Sequence, residues 1–167
     1  MRVTVCLAGP ADARDMAEIH MRSWEAAYAG ILPAEYIEKK NKDRPALWER
    51  VLAEGNTTRH IILADGRAAG LLCLGPPEED DAGGDAYELY AIYLHPDFYR
   101  QGVGTQALAF AFDKARGLGK REMTVWVFSE NANAIAFYRA CGFAPDGKTA
   151  VGEYGRPIES MRMRRTL

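Results

Sequence analysis

The sequence predicts an α/β fold in which about seven strands form one mixed sheet flanked by helices. Three observations carry that prediction. Apolar residues alternate with period two in some segments and recur at helical spacing in others, which separates strands from helices along the chain. Asp65-Gly66-Arg67 divides two short apolar runs, a strong hairpin signal that requires neighbouring antiparallel strands. With 167 residues and 48% hydrophobic content, the chain is long enough for one core-bearing domain and short for two, so residues 1–167 are read as a single domain.

Taken in order, Arg2 to Ala8 alternates as a strand, and Gly9-Pro10 ends it. From Asp12 to Ala29, Met16, Ile19, Trp24, Ala27 and Tyr28 fit one helix with Asp12 as its N-cap. After the Gly30-to-Pro33 turn, a short helix over Ala34 to Lys40 and another over Asp43 to Ala53 are predicted. Arg59 to Ala64 and Ala68 to Leu74 form the hairpin. Gly75 to Gly84, with a Pro pair and the acidic run Glu78 to Asp81, reads as a solvated loop. Ala86 to Leu94 is the central strand. Val103, Ala107, Leu108, Ala111, Phe112 and Ala115 recur as a helix stopped by Gly117 and Gly119. Glu122 to Phe128 is a Val- and Trp-bearing strand, a helix from Asn131 ends at Gly142, and Phe143 to Val151 pairs with Pro157 to Arg164. The order is β-α-α-β-β-β-α-β-α-β-β, without internal repeats.

Bulk properties exclude several classes of partner. A formal charge of −2 and a pI near 5.9 give no basic field for nucleic acid. No apolar run approaches the roughly 18 residues of a membrane span, and Arg2 to Leu7 is too short for a secretory leader. A cytoplasmic protein with no membrane partner is expected. Cys6, Cys73 and Cys141 are odd in number, lie in or beside apolar runs and lack metal-ligand spacing, so they are read as buried free thiols. His20, His60 and His95 show no metal spacing either, and no metal is expected.

The chemistry concentrates at Tyr93-Leu94-His95-Pro96-Asp97-Phe98-Tyr99-Arg100-Gln101-Gly102-Val103-Gly104-Thr105. An apolar strand runs into a Pro turn, a loop with paired glycines and a helix start. Gly102 and Gly104 permit close backbone approach, and the helix beginning near Val103 adds unpaired amides and its positive dipole end, so a diphosphate fits there. A Walker loop would need Lys-Ser/Thr after the last glycine, where this chain has Thr105-Gln106. Gly102-Val103-Gly104-Thr105-Gln106-Ala107 matches the dinucleotide fingerprint, with Glu122 at the acidic spacing. However, His95 to Gln101 separate it from the strand, and too little chain follows for a nucleotide domain.

A second segment, Glu130-Asn131-Ala132-Asn133-Ala134-Ile135-Ala136-Phe137-Tyr138-Arg139-Ala140-Cys141-Gly142-Phe143, places Asn131 and Tyr138 within roughly 20° of one another on a helix face. Together the two segments resemble the GNAT superfamily of acyl-CoA-dependent N-acetyltransferases. The loop is similar to its Gln/Arg-x-x-Gly-x-Gly/Ala motif, with Tyr99 at the Gln/Arg position. The second segment is similar to its Asn-x-x-Ala-x-x-Phe/Leu-Tyr-x-x-x-Gly-Phe element. The resemblance spans roughly Arg2 to Arg164. It implies a mostly antiparallel sheet splayed between its fourth and fifth strands, with acetyl-CoA as co-substrate.

Carried onto this chain, the resemblance implies that Tyr99, Arg100, Gln101, Gly102, Val103, Gly104 and Thr105 hold the diphosphate. Backbone groups of Ile92, Tyr93 and Leu94 would pair with the pantetheine arm, and Asn131, Asn133, Phe137 and Tyr138 would complete the cofactor side. Tyr138 would protonate the departing thiolate. Trp24 and Tyr28 share a helix face and would line the acceptor pocket, although plain core packing accounts for them equally well.

Acyl transfer to an amine also needs a proton acceptor, because a primary amine is mostly protonated near neutral pH. Glu88, set in a strand of Tyr, Leu, Ala and Ile, is the candidate base; a charged residue at an exposed or cross-paired strand position is the alternative. A proton acceptor matters most at low pH, where free amine is scarce. Direct transfer from acetyl-CoA to an amine in a ternary complex is thus the leading reading, and a non-catalytic acyl-CoA-binding sensor or regulatory module is the other. The presence of both Glu88 and Tyr138 favours the enzyme. The acceptor is left open between a small-molecule amine and a protein N-terminal or side-chain amine, and a homodimer is one assembly left open.

Overall fold

In the computed structural model, which describes all 167 residues, the seven strands lie in the order β1-β2-β3-β4-β5-β7-β6. Strands β1 (Val3–Leu7), β2 (Arg59–Ala64), β3 (Arg67–Gly75) and β4 (Ala86–Leu94) are antiparallel neighbours. β4 meets β5 (Glu122–Phe128) in parallel, and β7 (Pro157–Thr166) pairs antiparallel with both β5 and the edge strand β6 (Ala144–Glu153). The β2–β3 hairpin turns on Asp65 and Gly66, both at positive φ (48° and 78°), the pair of left-handed residues that a tight hairpin turn requires.

Helices α1 (Ala13–Ala27) and α2 (Ala34–Ala53) cover one face of the sheet, and α3 (Val103–Gly117) and α4 (Ala132–Ala140) cover the other. On the α3 side, Leu108 and Phe112 pack against Leu89, Met123 and Val125. On the α1 side, Met16, Ile19 and Trp48 pack against Ile61 and Leu71. Each face thus buries one set of alternate strand residues, which is what fixes the register.

Two features of β4 position the site. Its parallel pairing with β5 covers only Ala86–Leu89 against Glu122–Val125, and beyond that point the two strands part. The register with β3 also shifts there, since Cys73 faces Ala91 while Leu74 faces Leu89, so Tyr90 is the extra residue of a β-bulge. The bulge bends β4 where its partner leaves. A wedge opens in the middle of the sheet, with the β5-facing edge of Ile92–Leu94 left without a strand.

Three predicted details change. The two helices expected over 34–40 and 43–53 are one continuous helix with Pro45 inside it. Pro45 forfeits one backbone bond, but the buried stripe Ile37, Asn41, Arg44, Trp48 and Leu52 runs through it at helical spacing and anchors both halves to the core. Asp12 holds the N-cap position of α1 as expected but makes no side-chain cap bond there; its carboxylate accepts instead from the Gly9 N–H at 2.8 Å, across a short 3-10 turn. Nor is the acidic loop merely solvated. Asp81 accepts from Lys148 Nζ at 2.8 Å and Arg162 Nη1 at 2.9 Å, and Glu79 accepts from Trp126 Nε1 at 3.3 Å, pinning the loop across β5, β7 and β6.

Candidate active site

The glycine loop leaves β4 through a 3-10 turn at Pro96–Phe98 and enters α3. Arg100 (φ 57°) and Gly102 (φ 78°) are both left-handed, and Gln101 Nε2 ties the loop back to the Asp97 carbonyl at 2.6 Å. The first turn-closing bond of α3 runs from Gln106 N to Gly102 O, so the Val103, Gly104 and Thr105 amides precede any intrahelical acceptor. They form the concavity that an anion would enter. Tyr99, Arg100, Gln101, Gly102 and Thr105 are exposed around it, so the residues present fit a diphosphate.

The two glycines serve different ends. Gly102 supplies the left-handed φ. A Cβ on Gly104 would instead come within 3.1 Å of Phe137 Cζ and 3.5 Å of Leu94 Cδ1, so Gly104 lets α3 close against α4 and β4.

Glu88 lies on the α1–α2 side of the sheet, between the core-facing Tyr87 and Leu89 and in register with Thr124 of β5. At 4% exposure it is not at an exposed strand position, which leaves a cross-paired carboxylate as the alternative to a base. Burial, reinforced by the carboxylates of Glu79 and Glu78, raises its pKa to about 7, against a smaller opposing pull from the Glu78 backbone and Arg162. A carboxylate that titrates near neutrality suits a general base.

Across the wedge, Tyr138 projects from α4 between Phe137 (5.5 Å between ring centroids) and Phe143 (5.7 Å). Burial and then the Tyr93 phenol raise its pKa well above the ordinary value. Tyr28 is raised in the same way, by burial first and then by Tyr93, with Tyr138 contributing. Phenols from α1, β4 and α4 therefore converge through the gap in the sheet. Asn131 is the N-cap of α4, its Oδ1 accepting from Ala134 N at 3.2 Å, while its amide group remains free to donate. Asn133 is exposed, and Phe137 is half-buried against Gly104.

Trp24 and Tyr28, 5.2 Å apart at 70°, belong to an aromatic cluster with Tyr36, Phe128, Tyr154 and Tyr93 at the α1–α2 mouth of the wedge. Gly155, at the tip between β6 and β7, allows that hairpin to lean on Tyr36, and Arg156 fastens it to the Ile31 carbonyl and to Glu130. His20 stacks on Tyr93 at 4.9 Å and accepts from Trp48 Nε1 at 3.2 Å through Nδ1. Burial and the nearby Arg44 lower the His20 pKa to about 3, so it is neutral and structural. The sequence reading missed Arg44, whose guanidinium lies 4.3 Å from the Trp24 ring, and Glu79, which faces Glu88. Arg44 interrupts the apolar stripe of α2, a signal visible only once α2 is taken as one helix.

The cysteines depart from expectation. All three are free, but Cys6 is exposed on the edge strand β1, and Cys73 and Cys141 are only partly buried. No helix is long and apolar enough to cross a membrane, and no group of His, Cys, Asp and Glu side chains assembles with metal-binding geometry.

Known proteins agree with this architecture. The Acetyltransferase (GNAT) family model matches residues 14–143. The uncharacterized N-acetyltransferase YuaI of Bacillus subtilis (strain 168) is 34% identical over 142 residues, covering 83% of this chain and 78% of its own. The spermidine N(1)-acetyltransferase of Thermoplasma acidophilum is 29% identical over 136 residues, covering 79% and 82% of the two chains. Among solved structures, the PaiA N-acetyltransferase of Thermoplasma acidophilum in complex with coenzyme A superposes with a TM-score of 0.80 at 21% identity over the whole of both chains. The chain belongs to the GNAT family and is an acetyl-CoA-dependent N-acetyltransferase, with acetyl-CoA as its co-substrate.

Proposed function

We propose that residues 1–167 act as one catalytic domain that transfers the acetyl group to a primary amine by direct attack in a ternary complex. The observation that carries this reading is the placement of Glu88 and Tyr138 on opposite sides of the β4–β5 wedge, with the diphosphate cradle at one end and the aromatic cluster at the other.

In this reading the acetyl donor lies in the wedge with its diphosphate on the Val103, Gly104 and Thr105 amides and its pantetheine arm along Ile92–Leu94, as an added strand. The amine arrives from the Trp24 and Tyr28 side. Glu88, directly or through a water, accepts the proton that the ammonium must lose. The nitrogen lone pair then adds to the thioester carbonyl. The adduct nitrogen gives its second proton to water, from which Tyr138 regains the one it gives to sulfur, and collapse of the tetrahedral adduct breaks the C–S bond. Tyr138 donates its O–H to the sulfur as charge develops there. With a phenol held above its ordinary pKa, full proton transfer to a solvated thiolate runs uphill. The same burial also raises thiols, as at Cys73, pushed up to about 11, so sulfur in the closed site gains proton affinity as well.

Spermidine, lysine side chains and amino acids occur in the names of relatives, the last two over less than half of this chain. They support a primary amine as the acceptor class. Screening amines by thiol release from acetyl-CoA tests the proposal, and a folded, CoA-binding protein that released thiol with no primary amine would overturn it.

A further inference from the structure

The buried stripe of α2 places an arginine where an apolar residue belongs. Arg44 is 8% exposed, yet no carboxylate lies within ion-pair distance of it. Its Nε and Nη2 are covered by protein and have no hydrogen-bond partner. Those two atoms form one side of the guanidinium fork, the edge that meets both oxygens of a carboxylate. Trp24 Nε1 is a third buried donor without a partner; it lies near the Tyr93 phenol but lacks the geometry of a hydrogen bond. The Trp24 ring itself takes the face of the guanidinium at 4.3 Å. Three buried donors of this cluster thus lack partners, as does one buried acceptor on the same stripe of α2, Asn41 Oδ1, although buried polar groups in folded proteins are ordinarily paired.

Resting on the reading of this cluster as the acceptor side, we infer that the acceptor carries a carboxylate besides its amine, and that Arg44 binds it through the Nε–Nη2 edge while Trp24 Nε1 adds a hydrogen bond. The acceptor class is then an amino acid or a similar amino carboxylate, its amine toward Glu88 and its carboxylate toward α2. The buried charge fits a single negative group: Arg44 is the buried cation of the cluster, Lys40 lies over the Tyr36 ring at the exposed rim, Arg156 is already paired with Glu130, and the neighbouring His20 is neutral. A phosphate, with its greater charge, would call for further buried cations beside Arg44. The half-buried rings of Tyr28 and Tyr36 flank Trp24 and form the cover that parts to admit the ligand.

Matched acceptors test this. L-Amino acids, their carboxamides and the corresponding decarboxylated amines differ only at the carboxylate. Thiol release from acetyl-CoA should favour the acids by about 30-fold or more in kcat/KM, chiefly through KM, as expected for a buried charge pair. Arg44→Met should erase that preference while leaving CoA affinity unchanged, and Arg44→Lys should restore part of it. Trp24→Phe, which keeps the ring and removes the donor, should weaken it less. Calorimetry of the CoA-loaded protein with the same acids reads binding without turnover and needs no variant. Amides and amines used as well as the acids would overturn the inference and leave the transferase proposal standing. Acids that bind through Arg44 without any thiol release would uphold the anion site and overturn the transferase proposal. Acids that neither bind nor react, or a preference that survives Arg44→Met, would also overturn the inference.

Discussion

Glu88 and Tyr93 face the same side of the sheet, although a regular strand would turn residues of that odd separation to opposite faces. Tyr87 and Leu89 belong to the α3-side core, as Ile92 and Leu94 do, so the parity of β4 reverses between Leu89 and Ile92. Tyr90, the extra residue of the bulge, accounts for the reversal. Glu88, the proposed proton acceptor, and Tyr93, whose ring joins the aromatic cluster, are brought to one side of the sheet by that single irregularity.

Glu88 therefore sets a pH dependence different from the one read from sequence. With its pKa at about 7, the carboxyl is largely protonated in mild acid and cannot act as a base there. The loss of kcat/KM in Glu88→Gln should be greatest above pH 7, not at low pH, and the variant should lack the rising limb that wild type shows through neutrality. Stability moves in the opposite sense. The folded state holds this proton more tightly than the unfolded state does, so wild-type stability falls as pH rises from about 4.5 to about 7. Melting curves across that range should show a smaller fall for Glu88→Gln. A wild-type pH–rate profile in the variant would remove Glu88 from the chemistry.

The cradle can be tested without disturbing the packing around Gly104, where aspartate would collide with Phe137. Thr105 is exposed in the first turn of α3. Aspartate there suits the helix dipole and should keep or raise the melting temperature, by about 0.3–1 kcal/mol in stability. It should nonetheless weaken CoA binding by placing a negative charge beside the diphosphate. Calorimetry and a melting curve on the same sample separate the two effects, and unchanged affinity in Thr105→Asp would move the diphosphate elsewhere.

Asn131→Ala should cost about 1 kcal/mol of stability through loss of the Ala134 cap. Asn131→Asp keeps the cap acceptor and removes the amide donor, so it should keep stability while CoA affinity falls as in Asn131→Ala if the amide contacts the pantetheine arm. Denaturant midpoints and CoA titrations of the two variants distinguish capping from contact.

The legible and illegible parts of this fold differ in the range of the forces behind them. The Asp65-Gly66 turn, the Gly102 loop and the strand and helix periods are local, and the chain states them directly. The bulge at Tyr90 and the parting of β4 from β5 depend on partners distant in sequence, so the shared face of Glu88 and Tyr93 was hidden. Pro45 concealed the continuity of α2, because a proline ordinarily marks a helix start and the tertiary stripe from Ile37 to Leu52 overrides that preference. With α2 divided, the place of Arg44 in one continuous buried stripe is not visible. Asp81 and Glu79 looked like a solvated run because their partners Lys148, Arg162 and Trp126 lie far along the chain.

Tyr138 carries the sharpest prediction, because its ring and its hydroxyl have separable jobs. The ring packs with Phe137 and Phe143 and holds α4 to the sheet, a contact that Tyr138→Phe preserves. The hydroxyl faces Tyr93 across the wedge and is the proposed donor to the leaving sulfur. Tyr138→Phe should therefore lower kcat by about 10²-fold, the lower reach of a lost acid catalyst, with CoA affinity and melting temperature nearly unchanged. Because the phenol remains protonated well beyond its ordinary range, its removal should leave the pH profile below pH 9 unchanged in shape, unlike the loss of Glu88. A thioester with a more acidic thiol needs less help at sulfur, so such a donor should narrow the gap between wild type and variant. That comparison is informative only where chemistry limits turnover, and the absence of a pre-steady-state burst in wild type establishes this. A Phe variant with full kcat under those conditions would assign Tyr138 to packing alone.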